Sequence, residues 1–425
     1  MASAATTAAP AAPAEDRRAP AAWLNLNGLL LVGGAAVLLL TAGVARAFSA
    51  EDNHVMTRFW HAYLLAASFV ASLSLGGLFF VLAHHLTGGR WGTSLRRIAE
   101  IVAGTVYLSA ALFLPIIVSV YAGSHDLYHW NDPTIVARDA VLQSKAPYLN
   151  GGWFAVRSIA YFAIWCVTAS VFIGKSVQQD QTGEVGPLRT LSRLSGPCTV
   201  LFAVALNFAA FDWMMSLAPH WFSTMFGVYY FAGCFVGFLS LLILLTLSLQ
   251  GRGVLSQSVT TDNLHDVAKL MYAFIVFWGY IAFSQFILIW YANVPEETEW
   301  YATRQLDEPT WLGMPVSMNI LFILHLFIPF LGFMSSAVRR NKAAMGCWAG
   351  YLLVVHWLDL AFIILPGMDG YTDRTTFGLI GPMEIACVLG AVAMLLGAIL
   401  LGAQDRWLLP VRDPRLKQSM TYHNH

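Results

Sequence analysis

Charge is what this sequence has least of. Only 11% of its 425 residues are Asp, Glu, Lys or Arg, against about 25% in a soluble globular domain, and 57% are hydrophobic. A water-soluble fold of this length cannot hide that much apolar surface. Acids and bases balance at 24 each, so there is no basic field for nucleic acid and no acidic solvating tail. Cysteine is scarce too. Cys166, Cys198, Cys234, Cys347 and Cys387 each lie in or beside an apolar stretch, and none forms a C-x-x-C pair, which reads as small core residues rather than a thiolate metal or redox site. No Walker loop, dinucleotide fingerprint, H-E-x-x-H or C-x-x-C-H motif occurs, so neither ATP-driven transport nor a bound redox centre is supported.

What the sequence does have is long apolar runs. A helix needs about 20 apolar residues to cross about 30 Å of hydrocarbon. Ten runs qualify, from about Trp23 to Val44, Phe59 to Ala83, Ile98 to Val120, Trp153 to Gly174, Pro197 to Leu217, Phe222 to Leu249, Val267 to Trp290, Met314 to Met334, Ala344 to Leu365 and Met383 to Gly402. The expected fold is therefore an all-α integral membrane protein of about ten transmembrane helices. Residues 1–22, rich in Ala, Pro and Thr, read as a disordered tail. The run that follows is long enough to span rather than to be a cleaved signal. An even number of spans puts both ends on one side. Seventeen of the 24 Lys and Arg fall on that side and six on the other, which predicts cytoplasmic termini, including the tail over 403–425. The longer loops, Tyr121 to Gly152 and Tyr291 to Thr310, are then outside. Their Tyr128, Trp130, Tyr148, Trp300 and Tyr301 suit a membrane interface or a docked partner.

The chain also matches itself. Spans two and six end in Gly89-Arg90 and Gly251-Arg252. Spans three and seven open at Ile98-Ala99-Glu100 and Val267-Ala268-Lys269 and close at Tyr121-Ala122 and Tyr291-Ala292. Spans four and eight open at Trp153 and Trp311, and spans five and nine end in Asp-x6-Pro, at Asp212 to Pro219 and Asp359 to Pro366. This predicts two four-helix bundles over 59–217 and 222–366, running the same way through the membrane, with helices 23–44 and 383–402 as additions.

An ionisable group inside a membrane costs at least about 2.5 to 3.5 kcal/mol on insertion scales, so each needs a partner, water or a purpose. Glu100 and Lys269 fall one turn inside the N-terminal side, Arg157, Asp212, Asp359 and Glu384 towards the opposite face, and His325 and His356 near the middle. His356 and Asp359, three apart, share a helix face. One reading makes Glu100 with Lys269, and Arg157 with Asp212, structural ion pairs, and the histidines hydrogen-bonded core residues. The other takes Asp359, His356, His325, Glu100 and Glu384 as parts of a proton path or quinol site, since quinol oxidation releases two protons and needs an acceptor with a wet exit. Haem b would need axial histidine pairs on facing helices. Only His325 and His356 lie deep, with His61, His84 and His85 at helix ends and His54, His125, His129 and His220 in loops, so no haem and no metal are expected in this chain.

The segments His84-His85-Leu86-Thr87-Gly88-Gly89-Arg90-Trp91, Asp212 to Thr224 (DWMMSLAPHWFST) and His356-Trp357-Leu358-Asp359 resemble the NrfD-like (polysulfide-reductase-like) membrane subunits, in particular the second of the two found in bacterial alternative complex III. The resemblance covers nearly the whole chain after the tail. It implies two four-helix bundles in the bacterial cytoplasmic membrane and a place in a quinol:electron-acceptor oxidoreductase. It further implies partners, namely a second NrfD-like subunit, an iron-sulfur/molybdopterin-like subunit and c-type cytochromes, which carry the iron-sulfur clusters and haem c. Within such a complex this chain is expected to bind no redox cofactor of its own, and to carry protons, bind quinone or support assembly. A stand-alone secondary transporter and a purely structural subunit remain as alternatives. Midplane transporter sites usually show helices broken at matching points of the two halves, whereas Pro115 in span three is matched by Gln285 in span seven, and Pro329 in span eight by no proline in span four.

Overall fold

The computed structural model describes residues 18–49, 54–304, 316–368, 380–404 and 406–423. Most of the N-terminal tail, Trp311 at the opening of span eight and Arg374 lie outside them. The described residues are helical with no strand. Nine helices among them are long and apolar enough to cross a membrane: α1 Ala21–Phe48, α2 His54–Thr87, α3 Thr93–Tyr121, α4 Gly151–Thr182, α5 Gly186–Leu217, α6 Phe226–Gln250, α7 Thr261–Ala292, α9 Lys342–Ile364 and α10 Pro382–Ala403. A shorter apolar helix, α8 Met318–Met334, occupies the expected eighth span. The protein is an all-α, multi-pass membrane protein.

Several helices outrun their apolar runs, because a helix continues into water wherever capping and packing hold it. Span five departs most from expectation. Pro197 does not open it. The helix begins eleven residues earlier, at Gly186, with Pro187 in its first turn, and passes through Pro197. Pro suits a first turn because its missing N–H has no partner there anyway. Asn150 caps α4 by accepting from Trp153 N at 2.9 Å, and Asn341 caps α9 by accepting from Ala344 N at 3.1 Å, each satisfying a first-turn donor. At their far ends α5 and α9 both pass into a 3₁₀ turn, Met215–Leu217 and Leu365–Gly367, at the two Asp-x6-Pro sequences.

Helices α2 to α5 close a ring in which each packs on the next and α5 returns to α2, and α6 to α9 close a second ring in the same order. The rings meet back to back through α2 and α6, and each of these also touches the last helix of the other ring. That arrangement explains why 94% of the apolar window of α2 is buried, against 17% for α1. At the α2–α6 crossing a Cβ on Gly76 would stand 2.5 Å from the Cys234 carbonyl oxygen, so the approach requires glycine. Helices α1 and α10 form a separate pair laid on α2 and α3. Both described chain ends lie at one end of the assembly. Arg18 stacks over Trp407 at 5.1 Å and Arg252 over Trp23 at 5.6 Å, and Asn263 donates to Trp91 O and Ser419 O.

The loop aromatics differ from expectation. Tyr128, Trp130, Trp300 and Tyr301 are buried within the protein. Tyr128 donates to Trp213 O at 2.8 Å, and Trp300 stacks on Trp221 at 4.5 Å. These rings seat the two longer loops on the bundle ends opposite the described chain ends. Tyr148 alone of the five is exposed.

Candidate functional site

The second ring converges on Asp359. Helix α9 carries both His356 and Asp359, and both are fully or almost fully buried. From α6, the Tyr229 hydroxyl donates to Asp359 Oδ1. From α7, Trp278 Nε1 donates to Oδ2 at 3.0 Å. From α8, His325 Nδ1 stands 3.9 Å from the same oxygen, with its ring flat against Trp278 at 3.9 Å between centroids. His356 turns the other way, its Nε2 2.8 Å from Ser72 Oγ on α2, so the three-residue spacing does not produce a His356–Asp359 contact. Glycine makes the space: a Cβ on Gly237 would stand 2.8 Å from the His356 ring. His356 Nδ1 and both ring nitrogens of His325 have no hydrogen-bond partner among the described residues, and no Arg or Lys pairs with Asp359 there.

The position of His325 has a local cause. Residues Phe322–Phe327 are π-helical, and Ile328 N–H bonds to Ile323 O, five residues back. Leu324 O therefore loses the donor it would have in an α-helix, and residue 329, the next candidate, is a proline without N–H. Tyr351 on α9 supplies the missing donor, its hydroxyl 2.7 Å from Leu324 O. Single π turns of this kind recur at functional sites.

Outward from Asp359 lies a cavity of about 10 Å³ lined by Tyr229, Trp278, Gln285, Tyr301, Phe322 and Phe362 among others. A water needs about that much room. At its outer side Gln285 Nε2 donates to Tyr301 Oη at 3.3 Å, and the half-buried Ser223 donates to Gln285 Oε1 at 3.0 Å. A line of polar groups thus runs from Asp359 to the loops at the end of the bundle opposite the described chain ends. Beside it, buried Arg304 donates to Phe362 O at 3.0 Å and Ile363 O at 2.8 Å, holding the segment after α7 on the end of α9.

The first ring treats its acid differently. Asp212 receives a bidentate pair from Arg157, Nε to Oδ2 at 2.8 Å and Nη2 to Oδ1 at 3.0 Å, and Tyr161 donates to Oδ2 at 2.7 Å. The guanidinium lies 3.8 Å over the Tyr148 ring. This is the pairing expected for these two residues.

The other sequence candidates sit elsewhere. Glu100 does not meet Lys269. It pairs with Arg96 at 3.0 Å and Arg97 at 2.9 Å, accepts from Ser176 at 2.8 Å, and joins a buried network with Asp180, Asp413 and Arg415. Lys269 instead pairs with Asp266 on its own helix, 3.0 Å away and 43% exposed. One helical turn put Glu100 and Lys269 at the same depth, but equivalent points in two rings side by side are not adjacent points. In the tail, burial alone would raise the Asp413 carboxyl, but Arg96 and Arg415 hold it below the ordinary range. Glu384 also lies apart from the cluster. It is matched by Arg58 at 2.8 and 2.9 Å and caps α10 by accepting from Gly381 N at 2.8 Å.

Sequence reasoning missed Tyr229, Trp278, Ser72, Gln285, Ser223 and Tyr301. Gln285 and Ser72 carried a signal as polar residues inside apolar runs, whereas Tyr229 and Trp278 read as any other membrane aromatic. Among the described residues no group of three His, Cys, Asp or Glu is placed to hold a metal ion. No protein-family model matches the chain, and no curated protein matches it significantly.

Proposed function

We propose that this chain is a membrane subunit of a quinol-oxidising electron-transfer complex of the alternative complex III type, in which the Asp359 cluster exchanges protons. The reading places it in the bacterial cytoplasmic membrane with both termini cytoplasmic. Electrons from quinol pass to iron-sulfur and haem c centres of partner subunits, while the two protons of each quinol must find acceptors near the outer face. One observation carries the reading: a buried carboxyl with no Arg or Lys partner among the described residues, held by Tyr229 and Trp278, with an imidazole 3.9 Å away and a polar line outward through Gln285 to Ser223. A purely structural acid would be expected to resemble Asp212, which is neutralised by an arginine.

In this scheme Asp359 takes up a proton while the Tyr229 and Trp278 donors keep its oxygens in place. His325 is the next group able to hold it, and Gln285, Tyr301 and Ser223 line the way out. The test is Asp359→Asn in the complete complex, reconstituted in liposomes with a quinol and its electron acceptor. Proton release per electron is expected to fall while assembly is unchanged. An unaltered proton-to-electron ratio and turnover would remove Asp359 from the path. A chain that purifies alone, stable and without c-type haem proteins, would count against membership of such a complex.

A further inference from the structure

A cleft of about 670 Å³ opens on the outside of the helix assembly between α1, α3, α4 and α10, remote from Asp359. It lies in the half of the helix assembly that adjoins the described chain ends. Gly402 is in the last turn of α10 and Arg406 just past its end, while Leu108 at the deep end is ten residues beyond Ile98, where the apolar run of α3 opens, or about 15 Å at 1.5 Å per residue. The volume falls in the range of small-molecule sites, about 300 to 1,000 Å³. The walls are apolar, and the few polar groups are satisfied within the protein. Thr105 Oγ1 donates to Val102 O at 2.7 Å, and the Tyr107 hydroxyl lies 2.5 Å from Ser170 Oγ and 3.1 Å from Cys166 O. Space is left where side chains are absent: a Cβ on Gly174 would meet nothing within 4 Å, and one on Gly104 would meet only Ile173, at 3.4 Å. A single cation stands at the mouth. Arg406 is half-buried, lines the cleft, and its guanidinium has no ion pair or side-chain hydrogen bond among the described residues.

An apolar slot about half a bilayer deep with one uncommitted guanidinium at headgroup level matches one kind of occupant. We propose that this cleft is a binding site for an anionic phospholipid, its phosphate on Arg406 and an acyl chain along the slot past Gly402, Gly174 and Gly104 to Leu108. The charge selects the occupant. A neighbouring transmembrane helix would give the guanidinium no fixed anion unless it brought an acid to that depth, whereas every anionic lipid brings one. Arginine also suits the task, since its fork binds two phosphate oxygens at once.

The test uses the full chain in detergent, titrated with phosphatidylglycerol and with phosphatidylcholine, with bound lipid read by native mass spectrometry. One phosphatidylglycerol is expected to be retained in preference to phosphatidylcholine. Arg406→Gln should reduce that preference about fivefold, the effect of one basic side chain near a membrane surface, leaving the melting temperature of the lipid-free protein unchanged. Gly174→Trp fills the slot and should abolish retention of both lipids, while Gly174→Ala, which leaves room, should keep it. Gly174→Leu serves if the tryptophan lowers yield. Equal retention of the two lipids by the unaltered chain would overturn the proposal, as would lipid still bound to Gly174→Trp. So would a Gly174→Cys variant that crosslinks in native membranes to another protein chain.

Discussion

In the first ring Asp212 is locked to a guanidinium on the neighbouring helix, with a tyrosine on its remaining lone pair. In the second ring Asp359, at the equivalent point of the equivalent helix, faces a phenol, an indole and an imidazole. The two share a sequence frame, each seven residues before a proline and just ahead of a terminal 3₁₀ turn, so the difference comes from the side chains around them. The position three residues before the acid is Ala209 in one ring and His356 in the other. A duplicated scaffold thus holds one acid whose charge is permanently matched and one whose charge is not. The matched site gives rigidity. The unmatched site can gain or lose a proton without breaking an ion pair.

The largest effect should come from removing the match. Arg157→Met leaves buried Asp212 unpaired, and stability in detergent is expected to fall by about 3 kcal/mol, the cost of breaking a buried pair. The double substitution with Asp212→Asn should recover much of it, and a thermal-shift measurement of the three variants checks both statements. If Arg157→Met melts with the unaltered protein, the first ring does not depend on the pair.

Next comes the same chemistry in the second ring. Asp359→Asn keeps both oxygen- and nitrogen-sized atoms in place and removes no cationic partner, so its stability change is expected to stay within about 1 kcal/mol. A loss as large as that of Arg157→Met would show that the two acids do the same work. Tyr229→Phe and Trp278→Phe each delete one donor to Asp359 and should cost about 1 kcal/mol apiece for the lost hydrogen bond, and on the proposed function either should slow proton release in the proposed complex without changing its subunit composition.

The smallest effect sharpens the comparison with a third matched acid outside the spans. Arg96 and Arg415 hold the Asp413 carboxyl below the ordinary value of 3.8. A depressed carboxyl contributes stability above its unfolded pKa and loses it as pH falls through the folded one. Docking of the C-terminal segment should therefore be unchanged from neutral pH to about 4 and loosen only below that, read as the rate of proteolysis after Asp413. Asp413→Asn should remove this acid dependence and leave the docking weaker at neutral pH, down to the level the unaltered chain reaches in acid.

The fold was largely legible because membrane crossing demands an unbroken apolar length, and ten such lengths stand out against 11% charge. Span ends were less legible. Capping by Asn150 and Asn341 and the passage of α5 through Pro197 depend on local hydrogen bonding that hydropathy does not register. Of the charged residues, the Arg157–Asp212 contact followed from neighbouring helices at one depth. The Glu100–Lys269 pairing did not, since equal depth says nothing about lateral separation. Glu100 found its partners one turn back on its own helix, at Arg96 and Arg97, a spacing that was open to reading. The groups around Asp359 come from α6, α7 and α8 at once, a convergence that only the ring order of the helices defines.

The wide turn at Phe322–Phe327 makes α8 a helix with a spare residue. An insertion or deletion in a packed helix ordinarily swings every side chain beyond it by about 100°, the angular step of 3.6 residues per turn, and a membrane bundle has no solvent side on which to hide the error. Here a one-residue deletion would tighten the wide turn into an ordinary one while the stretch from Ile328 to Met334 kept its register. A one-residue deletion should therefore be tolerated at this point of α8, and a chain that has lost the residue should also have lost the need for a tyrosine at the position of Tyr351.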